Sequence, residues 1–196
     1  MRLLLDLRQI SDHVERQRIA VQADSHGIWG VVVTGLPGAE TVEASAIATA
    51  TEHVTIVVDI DGEAAHSTTI AEEVAVLDQL SQRRTMIILR AGNETRNTVT
   101  TLLQGLPSDG VILSPPPAQA AVVVHAPEDI PNIEIPQELE QLTEVIDQYR
   151  DANEQFLVVA TNRPVKELAR HAIGRAASAD FPQMVADMAD QIDPIN

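Results

Sequence analysis

Short apolar runs without alternation, spaced by stretches of helical periodicity, constrain this chain more than any other feature. The clearest run is Thr85-Met86-Ile87-Ile88-Leu89, which follows HSTTIAEEVAVLDQLSQRR. Residues apolar on both faces suit a strand covered on both sides, the situation of a parallel sheet whose crossover helices pack against it. In the stretch before it, Ile70, Val74, Leu77 and Ser81 recur at three-to-four-residue spacing, and Ala71, Ala75 and Leu80 widen the stripe. Ser67, Thr68 and Thr69 are N-cap candidates. Glu72 and Glu73 in the first turn, with Arg83 and Arg84 in the last, complement the helix dipole.

The same alternation runs along the chain. Strands are predicted at residues 2–7, 28–33, 55–62, 85–89, 110–113, 121–125 and 156–160. Between them, helices are predicted from Ser11 or Asp12 to a stop at Gly27, from Glu40 through His53, from Thr95 to Leu103, from Glu138 to Tyr149, and after Pro164. Ala44, Ala46, Ala48 and Ala50 give the second helix a small-sided face, fit for its own sheet or for a partner helix. Pro115, Pro116 and Pro117 force an extended connection, and residues 127–136 form a Pro-studded acidic link. The expectation is one α/β domain, residues 1–196, with mostly parallel strands.

Charge and composition narrow the function. Acidic residues outnumber basic ones 29 to 13 for a formal charge of -16, and Lys166 is the one lysine, which excludes nucleic acid and anionic membrane as natural partners. With no cysteine, disulfides, thiol catalysis and thiolate metal sites are excluded, and no apolar run is long enough for a membrane span, so a cytoplasmic protein is expected. Aromatics are 2% of residues, few for gripping a flat ring by stacking.

One stretch resembles a family. In luciferase-like flavin- or deazaflavin-dependent oxidoreductases, a helix carries a His near its start, a Leu-Ala pair, and a Leu-Asp-x-Leu-Ser run ending in Gly-Gly-Arg. His66, Ile70-Ala71, Leu77-Asp78-Gln79-Leu80-Ser81 and Arg84 fall in that register without a gap. The departures are specific: Ser67 replaces a Pro, and Gln82-Arg83 replace the two glycines. Of the Gly-x-Gly-x-Gly strand that follows in the family, Ile88, Arg90 and Gly92 leave the last glycine only. Ala23 to Gly27 and Thr51-Glu52-His53-Val54 also resemble family segments, whereas Gly35-Leu36 stand in place of an Asp-His pair. Coverage is good from residue 12 to 92 and thins beyond.

The resemblance implies a shortened or incomplete TIM-type (β/α) barrel of about seven strands. It also implies a flavin- or deazaflavin-dependent oxidoreductase of monooxygenase type, with FMN or the deazaflavin coenzyme as cofactor and a small organic molecule as substrate. Ligands of such sheets lie at the carboxyl ends of the strands, where Asp59, Asp61 and His66 fall. Asp59 and His66 are the candidate catalytic residues. Arg90, Gly92, Asn162 and Arg163 are the candidate cofactor-binding residues, the last two at a strand-to-helix turn that resembles a phosphate-holding turn of the family. Plain alternatives stand beside each: solvated loop charges for the acids, an ordinary turn for Asn162-Arg163-Pro164. Three functions compete: the oxidoreductase; a non-catalytic relative acting as a homodimer or as the partner of a related subunit; and a different enzyme holding a metal on Asp59, Asp61 and His66.

Overall fold

The structure, a computed structural model, describes residues 1–105, 122–134, 139–161 and 164–169. The elements are β1 (Arg2–Asp6), α1 (His13–Ser25), β2 (Gly30–Val33), α2 (Glu40–Ala50), β3 (Thr55–Asp61), α3 (Ser67–Leu80), β4 (Thr85–Arg90), α4 (Asn93–Leu103), β5 (Val124–His125), a 3-10 turn (Pro127–Asp129), β6 (Asn132–Ile133), α5 (Leu139–Asp151) and β7 (Phe156–Ala160). The strand predicted at 110–113 lies outside the described residues, as do Asn162 and Arg163. Among the described residues no helix is long and apolar enough to cross a membrane.

All seven strands are parallel and lie in the order β5-β4-β3-β2-β1-β7-β6. Read around a circle, this is the strand order of a barrel, with one seam, between β5 and β6. Curling is shown by a contact: His125 on β5 meets Phe156 on β7 edge to face, with ring centroids 5.5 Å apart. Five strand spacings would separate those strands by about 24 Å in a flat sheet. The fold is thus a shortened, open TIM-type α/β barrel. Its seam is crossed by the short link from His125 to Asn132, whose Ile130 is buried among the inward-facing residues.

Because successive strand residues face opposite ways, the unalternating runs fill two cores. Leu3, Leu5, Val31, Val33, Ile56, Val58, Ile87, Leu89, Leu157 and Val159 face the helices. Leu4, Val32, Val57, Met86, Ile88, Phe156 and Val158 face inward with Ile130, and Trp29 packs against them. The lumen is therefore a packed core and not a pore, as in other small barrels. Gly30 marks its tightest point: a Cβ there would lie 2.6 Å from Leu4 Cδ2 and 3.0 Å from the Thr55 carbonyl. In α2, Ala44 and Ala48 are buried on the chain's own sheet and Ala46 is exposed.

The amino ends of the strands carry the tertiary fastenings. Arg84 lies beyond the end of α3 and not in its last turn, so it is no dipole partner for its own helix. All five of its N–H groups are used, on the carbonyls of Ala48, Thr51, Val54 and Ser81 and the Thr51 hydroxyl. It thus closes the carboxyl end of α2, an end that favours a cation. Beside it, the Ser81 and Thr85 hydroxyls are 2.8 Å apart, and Asp78 is buried, which pushes its carboxyl up. The family-like Leu-Asp-x-Leu-Ser and Arg84 are, in this chain, connectors at the end opposite the strand tips.

Asp24 fastens the same loop from the other side by accepting the backbone N–H groups of Glu52, His53 and Val54 at 2.7 to 2.9 Å. Burial pushes this carboxyl up, but the three amides outweigh burial and hold it below its ordinary 3.8. A depressed folded pKa means stability present above the unfolded value and lost as pH falls through the folded one. Unfolding free energy is therefore expected to decline as pH drops below about 4, and Asp24→Asn to flatten that part of the curve in urea titrations.

Other helix ends depart from expectation. The N-cap of α3 is His66, with no side-chain cap bond, so Ser67, Thr68 and Thr69 do not serve; Glu72 and Glu73 lie past the first turn. Leu80, expected on the apolar stripe, is 48% exposed. After α3, Gln82 and Arg83 both have positive φ, 57° and 66°. These are the positions that hold glycines in the luciferase-like pattern, so the backbone keeps the left-handed shape although side chains have replaced the glycines. Each left-handed residue costs about 1–2 kcal/mol, partly offset by the chain entropy a glycine would lose. Gln82→Gly and Arg83→Gly are each expected to raise stability by about 0.5–1 kcal/mol, read as a higher urea midpoint at unchanged slope.

Candidate functional site

The carboxyl ends of β1, β3 and β4 bring their inward-facing charged residues into one ladder, which Asn132, first residue of β6, joins from below. Asp6, last residue of β1, accepts three bonds from Arg8, from the backbone N–H and Nε at 2.9 Å and from Nη2 at 2.8 Å. Arg8 reaches across the mouth with Nη1 to Asp59 Oδ2 at 2.6 Å, and Arg90 Nε lies 2.9 Å from Asp59 Oδ1. Asn132 on β6 donates to Asp6 at 3.4 Å. Both carboxylates are 5% exposed, so each buried anion is compensated by a guanidinium. The hydrogen bonds that Arg8 donates to Asp6 and, less strongly, to Asp59 raise its pKa above the ordinary value against the cost of burial, so Arg8 stays charged.

Local sequence explains the geometry. Asp6 and Arg8 are two residues apart and project to one side; Asp59 and Arg90 end inward rows two strand positions beyond Val57 and Ile88. Around the ladder, the Thr34 and Thr161 hydroxyls donate to the carbonyls of Asp59 and Asp6. Arg16 ties the loops after β1 and β2 through the carbonyls of Ile10 and Thr34, and pairs with Glu43.

Of the residues singled out from sequence, Asp59 and Arg90 are brought into contact. The reading of Asp59 as a solvated loop charge is corrected, since it is buried and paired. Asp61 instead closes a local turn by accepting the Glu63 N–H. His66 is exposed at the start of α3, on the same end of the barrel, without a hydrogen bond to the ladder. Gly92 is the N-cap of α4, and a Cβ there would meet nothing within 4 Å. Among the described residues no three His, Asp or Glu side chains converge to hold a metal, so Asp59, Asp61 and His66 do not form the metal site considered from sequence. Asp6, Arg8 and Asn132 were missed; an Asp-x-Arg pair closing an apolar strand is the signal that marks the first two.

Residues fit the anionic end of a flavin-type cofactor better than its ring. The Arg90 side chain is 51% exposed, and its two terminal nitrogens have no partner among the described residues. Close by, α4 opens on Gly92 with no side chain capping its first amides, an arrangement that favours anions. The aromatic pair Trp29 and Phe156 sits instead at the amino ends, 5.3 Å apart, beneath the Arg2 guanidinium.

A parallel barrel with a buried ionic ladder at its carboxyl mouth defines the class: an open TIM-type α/β protein with a polar site where such folds place their chemistry. Among solved structures, the chain is similar to the monooxygenase RslO1 from Streptomyces bottropensis, with TM-score 0.51 and 16% identity over 95% of this chain and 82% of that one. At that identity the fold is what is shared. A looser likeness, TM-score 0.45 and 17% identity, is to EDTA monooxygenase (EmoA) from Chelativorans sp. BNC1; it covers 63% of this chain and 42% of that protein, so the chain spans less than half its length. No protein-family profile and no curated protein matches the chain. The luciferase-like resemblance of residues 12–92 and the likeness to a monooxygenase structure agree on one fold.

Proposed function

We propose that this chain is a luciferase-like oxidoreductase of monooxygenase type that takes FMN or a deazaflavin coenzyme at the carboxyl mouth of its barrel and acts on a small organic substrate. The observation that carries the reading is the Asp6-Arg8-Asp59-Arg90 ladder at that mouth, its two carboxylates buried, with the terminal nitrogens of Arg90 unpartnered among the described residues. Arg90 and the first amides of α4 at Gly92 hold the cofactor phosphate. Asp59, held between Arg8 and Arg90, and His66, exposed at the start of α3, are the catalytic candidates at that mouth. Reduced flavin, when bound, supplies a hydride or activates oxygen; the protein's part is to bind, orient and exclude water. With it we propose a dimer with a second copy or a related subunit and a cytoplasmic location; the cysteine-free sequence is compatible with any redox compartment.

A second reading is favoured by a specific observation: two guanidiniums cross the mouth and the described aromatics of the lumen lie at the other end. Such a chain serves as a non-catalytic subunit. Titration with FMN and with the deazaflavin coenzyme, followed by ligand fluorescence while light scattering reports mass, separates the two. Micromolar saturable binding, weakened at least tenfold by Arg90→Ala through loss of charge-assisted bonds, supports the oxidoreductase. A folded protein that binds neither supports the subunit.

A further inference from the structure

His125 stands on β5, one of the two short strands that flank the seam of the barrel. β5 is two residues long and is held to β4 by the pairs Ile87 with Val124 and Ile88 with His125, extended by one bond from the Ile87 N–H to the Val123 carbonyl. Beyond β5 lies the seam, spanned by the 3-10 turn, and among the described residues no strand pairs with its outer edge. The His125 ring fills the gap from the inner side, edge-on to Phe156. Its Nε2 is buried and has no hydrogen-bond partner among the described residues. The inner cluster around it, with Ile88, Ile130, Phe156 and Val158, is apolar.

We propose that His125 is an acid-sensitive latch on the barrel seam, holding β5 and the 3-10 turn against the lumen while its imidazole is neutral and releasing them when it is protonated. A neutral ring with an orphan nitrogen is tolerable in an apolar setting, but an imidazolium there adds a buried charge and a donor without an acceptor. Burial lowers the pKa of His125 from its ordinary 6.5, and Asp129 of the 3-10 turn opposes this. The other charged groups nearby give the imidazolium no refuge. On β3 and β4, Asp59 and Arg90 face inward but are engaged with each other and with Arg8. From β7, Phe156 and Val158 bring no charge. Glu128, on the turn, is 72% exposed and lies 4.0 Å from Arg96 of α4. Asp129 already accepts the Ala126 N–H, which fixes the turn. The protonated ring gains water by leaving the lumen, and the short strand leaves with it. The inference is independent of any cofactor.

Trp29, the chain's one tryptophan, packs against the same inner cluster and touches Phe156, so it reports the seam. Emission of the full chain is followed from pH 8 to 4.5 with far-UV circular dichroism alongside. The expected result is a reversible red shift with a midpoint below 6.5 and unchanged ellipticity. It is expected to be abolished in both His125→Phe, which keeps an aromatic edge on Phe156, and His125→Gln, and to move to lower pH in Asp129→Asn. Retention of the shift in both His125 variants would overturn the latch, as would a shift that coincides with loss of ellipticity or its absence in the parent protein.

Discussion

Arg84→Ala is expected to lower the unfolding free energy by about 3 kcal/mol, the largest loss for any residue at the amino end of the barrel. The side chain satisfies four carbonyls from α2, the loop after it and the end of α3, together with one hydroxyl. Removing it leaves those acceptors in a part-buried place where water reaches few of them, and an unsatisfied buried acceptor costs more than a made bond returns. Arg84→Lys keeps the charge but has three donors on one point, against five in a planar fork, so a loss of intermediate size is expected. Urea midpoints at constant slope check both. An equal loss for Lys and Ala would show that the fork geometry, rather than charge, is what the site uses.

Arg8→Ala is expected to cost about 3–4 kcal/mol and to impair whatever the mouth binds. It strands two carboxylates, Asp6 and Asp59, each 5% exposed, with Arg90 alone to answer Asp59. Breaking a buried pair on one side is far worse than removing it whole. The triple variant Asp6→Asn, Arg8→Met, Asp59→Asn is therefore expected to regain most of the stability that Arg8→Ala loses, which equilibrium unfolding of the two would show. Cofactor titration of the same proteins separates folding from site geometry: the triple variant is expected to be stable yet weaker in binding than the parent.

β1 to β4 and β7 were readable from sequence because each is apolar on both faces; residues 156–160 match β7 residue for residue, and 85–89 fall one short of β4. β6 was not, because Asn132-Ile133 lies in the Pro-studded acidic stretch read as a link. β5 was readable as a run at 121–125, but its ladder with β4 is confined to Val124 and His125, and among the described residues its outer side has no partner strand. Barrel order came from the resemblance and not from periodicity, which says that strands are parallel but not which are neighbours. At the site, Asp59 and Arg90 were visible as polar residues ending apolar strands. Arg8 was not, since its contact with Asp59 joins residues 51 apart in sequence and no local pattern encodes that. Arg84 was placed in a helix's last turn because it follows a periodic stretch. Its acceptors belong to the preceding α/β unit, and the left-handed Gln82 and Arg83 that swing it there carry no glycine to announce the turn.

Placing β1 between β2 and β7 sets a timetable for the nascent chain. β1 to β4 each pair with a strand roughly 25 residues away in sequence, so their loops close early and cheaply. The other edge of β1 waits for Phe156–Ala160, roughly 150 residues later. At about 5–20 residues per second of synthesis, that edge stays bare for roughly 7 to 30 seconds. It is the edge of Leu3-Leu4-Leu5, an open strand template of the kind that recruits other chains. Soluble yield should thus be set less by the stability of the finished barrel than by how quickly β7 arrives, so slowing translation before residue 156 should increase aggregation without changing the protein that escapes it.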